Sequence, residues 1–158
     1  IRRFKAAFNG TIMTNQTQRI QIGNMCPKLT RSLADSMRHA ARGKQYDLCI
    51  EWTPLGEELA EKVKSDSAKI YVLIVNSIVF EDLSGADSPA HLENTLQLIT
   101  DIKILNNRPV IAMAGTDVVE GHPGIIGKIK ETVDFFFPMP MGLTDFEEAF
   151  RVCLDYVA

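Results

Sequence analysis

Short apolar runs separated by segments of helical period are the feature of this 158-residue chain that most restricts its fold. The run Ile70–Phe80 reads IYVLIVNSIVF, which is too apolar for either face of a strand to meet solvent. We therefore predict that it is the central strand of a sheet covered on both sides. Strands of this kind that alternate with helices are typical of a parallel sheet joined by crossover helices.

The other elements follow the same alternation along the chain. Further strands are predicted at Arg19–Gly23, Tyr46–Trp52, Pro109–Ala114 and Val133–Phe137. Apolar residues at three- and four-residue spacing predict helices at Lys28–Arg42, Gly56–Lys64, Ala90–Leu105, Gly124–Glu131 and Thr144–Val157. The predicted fold class is α/β, a three-layer α/β/α sandwich with a mainly parallel sheet of five to six strands.

Length and composition indicate one folded domain. At roughly 100–200 residues per domain, residues 19–158 form a single α/β domain, and residues 1–18 are predicted to be an N-terminal arm that packs Phe4 and Phe8 onto it. The net charge of −3 gives no positive field for nucleic acid. No apolar run approaches the roughly 18–20 residues of a membrane span, so we expect a soluble intracellular protein.

The segment after the first predicted strand occupies the position of a phosphate-binding loop. It reads Gly23-Asn24-Met25-Cys26-Pro27-Lys28-Leu29-Thr30, in which Gly23, Asn24, Lys28 and Thr30 resemble parts of such a loop. The pattern G-x-x-x-x-G-K-[ST] is not met, because Lys28 and Leu29 stand at its second glycine and its lysine. We interpret the segment as a degenerate loop, or as an ordinary strand-to-helix turn with proline near the first helical position.

The chain also lacks the nucleotide-binding residues that a GTPase carries at its other strand ends. Thr53 stands at the aspartate of D-x-x-G, and only Asp117 remains of [NT]-K-x-D after the fourth strand. A single carboxylate cannot select guanine, and we interpret Asp117 as a helix N-cap.

A phosphoacceptor receiver domain has the same order of strands and helices, so the residues of its phosphorylation site would stand at the same strand ends. Receivers need an acidic pair, an aspartate, a hydroxyl residue and a lysine before proline at successive strand ends. The residues at those positions are Asn24 and Met25, Asn76, Ala114 and Met139. Magnesium prefers hard oxygen ligands such as carboxylates, so we predict no metal site, no cofactor and no enzymatic activity.

The helix Ala90–Leu105 carries more apolar residues than one face of a sheet requires. Leu92, Leu96 and Ile99 suffice to dock it. A second stripe at four- and three-residue spacing, with a nearby arginine, is predicted to bind a partner; it consists of Leu98, Ile102, Leu105 and Arg108. The alternative is a broad buried face in which Leu105 covers the edge of the sheet.

Several core and turn segments resemble the centromere protein M (CENP-M) family, kinetochore subunits with a small-GTPase-like fold that has lost nucleotide binding. The similar segments are Asn15–Gly23, Leu33–Met37, Lys69–Asn76, Leu92–Thr95, the turn at Gly115, and Arg151–Ala158. The resemblance implies a nonenzymatic pseudo-GTPase of the inner kinetochore, a nuclear protein of cell division. It implies binding to CENP-I and assembly with CENP-H and CENP-K, with Leu105 as the one interface residue carried over.

A second interpretation is a bacterial pseudo-receiver domain, which lacks the phosphoacceptor aspartate and acts as a cytoplasmic protein-interaction module. Thr95–Gly115 and Val133–Leu154 resemble the second half of receiver domains. A working nucleotide hydrolase is a third class, but it would need the loop residues that the chain lacks. The first two interpretations agree on a nonenzymatic module and differ in cell type and partner.

Overall fold

The computed structural model describes residues 16–23, 26–65, 68–75 and 89–157. Its strands are β1 (Gln16–Gly23), β2 (Tyr46–Thr53), β3 (Ile70–Ile74), β4 (Val110–Gly115) and β5 (Phe135–Met139). Its helices are α1 (Pro27–Ala40), α2 (Glu57–Ser65), α3 (Pro89–Asp101), α4 (Thr116–Gly121), α5 (Pro123–Thr132) and α6 (Leu143–Val157). None of the helices in these ranges is long and apolar enough to cross a membrane.

The five strands form one parallel sheet in the order β2-β1-β3-β4-β5. The prediction of a parallel α/β sheet between two helical layers is confirmed. This strand order is the flavodoxin-like one, in which the chain leaves β1 toward one edge and then crosses to the other from β3 onward. The order reverses between β1 and β3, where Ile20 pairs with Ile70.

Alternating side chains of the strands divide the core into two layers. On one face, the isoleucines of β1 and β3 pack with α1 and α6 through residues such as Leu33, Met37 and Phe150. On the other face, Tyr71 and Leu73 pack with α2, α3 and α5. All five residues of β3 are buried, as predicted for a strand with no solvent-facing side.

Several predicted boundaries differ from the structure. Strand β1 begins at Gln16, three residues before the predicted start of the domain at residue 19, and the remainder of the predicted arm, residues 1–15, lies outside the described residues. The predicted strand Ile70–Phe80 is described as a strand only to Ile74; residues 76–88 lie outside the description. Strand β5 starts two residues later than predicted, and the short helix α4 was not predicted.

Helix α3 continues into a π-helical turn, Ile102–Asn106. The amide of Asn107, which has a left-handed backbone (φ 48°), donates to the carbonyl of Ile102 at 3.0 Å, closing the turn over five residues. The Asn106 side chain anchors it by donating to the Val63 carbonyl (3.2 Å) and the Tyr71 hydroxyl (3.3 Å). The wider turn changes the phase of the helix, so residue 105 no longer follows the stripe of residues 98 and 102.

The predicted partner-binding stripe is therefore not one surface. Leu98 is 6% exposed and Ile102 is 0% exposed, whereas Leu105 is 59% exposed. The prediction is wrong for Leu98 and Ile102 as surface residues, because both belong to the core between the sheet and helices α2 and α5.

Candidate functional site

The candidate site is the carboxyl edge of the sheet, where parallel α/β folds bind their ligands. The five strands end there at Gly23, Thr53, Ile74, Gly115 and Met139. The strand-end residues predicted from the sequence are thus brought to one edge. The ligands that this edge could bind depend on the side chains and contacts at each strand end.

Gly23, at the end of β1, makes room for core leucines. A β-carbon built at Gly23 would lie 2.5 Å from Cδ2 of Leu59 and 2.7 Å from Cδ2 of Leu73. Both leucines are fully buried. The absence of a side chain at Gly23 is therefore explained by the packing of α2 and β3 across the strand end.

The other residues of the degenerate loop are placed at the start of α1. Asn24 lies outside the described residues. Lys28 is exposed in the first turn of α1, and the Thr30 hydroxyl donates to the Cys26 carbonyl at 2.9 Å. Pro27 occupies the first turn of the helix. These contacts are those of an ordinary helix start, and Pro27 has no backbone N–H that could bind a phosphate.

Thr53, at the end of β2, is engaged by a buried glutamine of the neighbouring strand. The amide nitrogen of Gln21 donates to the Thr53 hydroxyl (2.9 Å) and to the Ile22 carbonyl (3.1 Å). Thr53 is 0% exposed and Gln21 is 1% exposed. Sequence reasoning did not single out Gln21, because a polar residue in a strand usually indicates a solvent-facing position.

Asp117 does not cap a helix, contrary to our interpretation of the sequence. Gly115 is the N-cap of α4, and no side chain bonds to the cap. Asp117 lies exposed in the first turn, where a carboxylate interacts favourably with the helix dipole. Its neighbour Thr116, which the sequence analysis missed, donates its hydroxyl to the Met139 carbonyl at 2.7 Å and ties β4 to β5.

An apolar cavity of about 570 Å³ opens at this edge beyond β4 and β5. It is lined by Leu29, Leu33, Gly115, Thr116, Asp117, Met139, Pro140, Met141 and Leu143. Asp117 is the one charged residue of this lining, and Met139 precedes Pro140 at the position of the receiver lysine. The cavity can accept apolar groups, whereas a magnesium ion prefers several oxygen ligands.

The described residues form no cluster of metal-ligating side chains at the edge. Within them, no three histidine, cysteine, aspartate or glutamate side chains are close enough to share a metal ion. His39 contacts Glu147 at 2.9 Å on the outer surface of α1 and α6. His91 contacts the Val75 carbonyl through Nε2 at 3.0 Å. His122 lies between α4 and α5.

The remaining predicted partner residues lie at the opposite edge. Arg108 is partly buried, and its carbonyl accepts a hydrogen bond from the Lys103 ammonium at 3.1 Å. Lys103 also pairs with Asp134 at 2.8 Å, and the same carboxylate accepts from the Val110 amide. This arrangement holds the start of β4 beside that of β5. Leu105 is the exposed apolar member of the predicted set.

Cys153, a buried residue of α6, has a pKa far from the ordinary value of a thiol. Burial and, as a smaller contribution, the charge of Asp134 together raise the pKa of its thiol to about 12, although Lys103 opposes the change. The thiol therefore stays protonated at neutral pH. A protonated, buried thiol is not a nucleophile, so Cys153 serves the packing of α6.

Comparisons with known proteins agree on the fold. No protein-family model and no curated protein matches the chain. A sensor protein from Polaromonas sp. superposes over 89% of this chain and 98% of its own, with TM-score 0.60 and 12% identity. A response regulator receiver domain protein from Clostridium thermocellum superposes over 88% and 95%, with TM-score 0.56 and 12% identity. A response regulator in red light signalling of R. palustris superposes over 88% and 92%, with TM-score 0.56 and 11% identity.

These similarities overturn the resemblance to the centromere protein M family. These three structures are bacterial receiver and sensor proteins, so the predicted membership of the CENP-M family, the kinetochore role, the nuclear location, and the partners CENP-I, CENP-H and CENP-K are wrong. The resemblance was carried by core and turn segments, which recur in many α/β domains because their packing demands are shared. The fold defines a flavodoxin-like α/β class with a five-stranded parallel sheet, and the receiver domains named above share this fold.

Proposed function

We propose that this chain is a receiver-like module of a bacterial cytoplasmic signalling protein, one that has no phosphoacceptor chemistry and works through protein contacts. The structural similarity to receiver and sensor proteins supports the receiver-like fold in this proposal. At such low identity, the function must be argued from the residues at the carboxyl edge.

The observation that carries the proposal is the apolar cavity at the end of β4 and β5. A receiver places a lysine before proline at the end of β5, and Met139 stands there among the residues that line the cavity. Neutral residues also follow β1 and β3, where Asn24, Met25 and Asn76 stand in the sequence. A site of this composition favours an apolar contact over a phosphoryl group with its magnesium ion.

Phosphoryl transfer provides the first test. Incubation of the wild-type chain with acetyl phosphate and Mg²⁺ should leave its intact mass unchanged, because the sequence has Asn76 in place of the receiver aspartate and Asn24 and Met25 in place of the acidic pair. A receiver domain with its aspartate, treated in parallel, controls for the activity of the phosphodonor. A stable gain of one phosphoryl group on the wild-type chain would refute the proposal.

A charged substitution at the cavity mouth tests the contact role. Leu143 lines the cavity and is 50% exposed, so Leu143→Glu should preserve the fold while weakening any partner that inserts apolar groups there by about tenfold or more. Val152→Glu is the matched control, because Val152 is 55% exposed on the same helix and lies outside that lining. The measurement is the quantitative recovery of co-purifying proteins with each variant as bait. Equal recovery by all three baits would contradict a contact at this cavity.

A further inference from the structure

Helix α1 carries a stripe of basic side chains on the side that faces away from the sheet. Lys28, Arg31, Asp35 and Arg38 are all exposed, and at 3.6 residues per turn they fall within an arc of about 80°. Arg42 continues the same three- and four-residue spacing in the turn after the helix and is also exposed. The four cations of this set, Lys28, Arg31, Arg38 and Arg42, are called the basic stripe.

The charge of the basic stripe is mostly unbalanced. Residues 27–44 contain five basic side chains and one acidic side chain, a net charge of +4, whereas the whole chain carries −3. Among the residues that the structure describes, Lys28, Arg31 and Arg42 have no ion-pair partner. Arg38 lies 3.9 Å from Asp35, and both of these side chains are largely exposed. Like charges at three- and four-residue spacing weaken a helix, so an anionic partner would relieve their repulsion.

A cavity of about 370 Å³ lies at one end of the basic stripe, between the end of α1 and the start of β2. Its lining includes Arg38, Arg42 and Lys44, together with apolar residues such as Leu48. Lys44 is already paired with Asp155 at 2.8 Å. The guanidinium groups of Arg38 and Arg42 therefore supply the positive charge at this end, and guanidinium groups bind carboxylates through two parallel hydrogen bonds.

Acidic residues border the basic stripe on both sides. Helix α6 lies beside α1, with His39 in contact with Glu147 at 2.9 Å, and it exposes Asp145 and Glu148. On the other side, Asp47 at the start of β2 is exposed and lines the cavity beside the stripe. A broad polyanion such as duplex DNA or an anionic membrane would meet these acidic residues together with the stripe, and like charges in contact oppose binding. A narrow acidic segment can follow the stripe alone.

We propose that the basic stripe binds an acidic segment of another protein, whose carboxylates pair with the four cations along roughly 21 Å of α1 and the turn after it. The cavity beside Arg42 accepts an apolar residue of the same segment. The separate cavity beyond β4 and β5 meets α1 through Leu29 and Leu33, on the inner side of the helix. The two surfaces are therefore distinct, and this inference does not depend on the proposed receiver-like role.

Fluorescence anisotropy of a labelled, glutamate-rich peptide of about sixteen residues, long enough as a helix to span the stripe, tests the binding. The full wild-type chain should bind it saturably at low salt, and added salt should weaken the binding because exposed charges are screened. A peptide with glutamine in place of glutamate is the control. No saturation below about 1 mM chain, or equal binding of both peptides, would overturn the proposal. Tighter binding of a DNA duplex or of phosphatidylserine vesicles than of the acidic peptide would also overturn it.

Charge substitutions test whether the peptide binds at the stripe. Arg31→Glu/Arg42→Glu should weaken the binding by about tenfold or more. Lys64→Glu/Lys128→Glu makes the same change in net charge at exposed sites of α2 and α5, in the other helical layer, and should weaken it far less. Asp35→Asn should strengthen the binding by about two- to fivefold, because it removes the acidic group within the stripe, and an unfolded variant could not produce this gain. Equal weakening by the two double variants, or no gain from Asp35→Asn, would contradict the proposed site.

Discussion

Replacing Ile102 with glutamate should unfold the domain, whereas Leu105→Glu should leave its melting temperature within about 2 °C of the wild type. Ile102 is 0% exposed, and a carboxylate at its position would lose its hydration with no cation among its core neighbours. The cost of an unpaired buried charge is several kcal/mol, a large part of the roughly 5–15 kcal/mol that stabilises a domain. Leu105 is 59% exposed, so a charge there keeps its water.

Circular dichroism melting of both variants and of Ile102→Val provides the measurement. The valine variant removes one methylene and should lose only about 0.5–1.5 kcal/mol, which separates the effect of charge from that of shape. Equal destabilisation by Leu105→Glu and Ile102→Glu would show that position 105 is also buried. It would support the alternative interpretation, in which Leu105 covers the edge of the sheet. Such a result would contradict the π-helical turn.

The π-helical turn also explains why the sequence could not predict this surface. Residues 98, 102 and 105 share a stripe only while the helix keeps 3.6 residues per turn. The turn depends on the Asn106 side chain reaching Val63 and Tyr71, which are distant in sequence. The pair Asn106-Asn107 does signal the helix end, because asparagine is one of the few residues that adopt the left-handed conformation of Asn107.

The sheet was predictable because its central strands carry an unambiguous pattern. The apolar run at β3 has no polar residue to turn toward solvent, and the parallel arrangement then fixes which strand ends share an edge. Helix α4 has six residues, too few to show a helical period. The cavity was not predictable, because it combines Leu29 and Leu33 of α1 with Met139 and Leu143, more than 100 positions later in the chain.

Gly23→Ala should lower the free energy of unfolding by about 1–3 kcal/mol, whereas Gly127→Ala should raise it by about 0.5–1 kcal/mol. The added methyl at Gly23 would lie 2.5 Å from Leu59 and 2.7 Å from Leu73, so these two fully buried side chains would have to shift within the core. At Gly127, inside α5, the new β-carbon would meet nothing within 4 Å. The same chemical change thus has opposite effects at the two positions.

Urea denaturation of the two variants and of Gly23→Ala/Leu59→Val distinguishes a packing role from a loop role for Gly23. If the glycine makes room for Leu59, trimming the leucine should recover part of the loss, so the double variant should be more stable than the sum of the single effects predicts. If the glycine serves the mobility of a phosphate loop, the two substitutions should be additive. Additivity, or a stabilising Gly23→Ala, would contradict the packing explanation and would reopen the end of β1 as a ligand site.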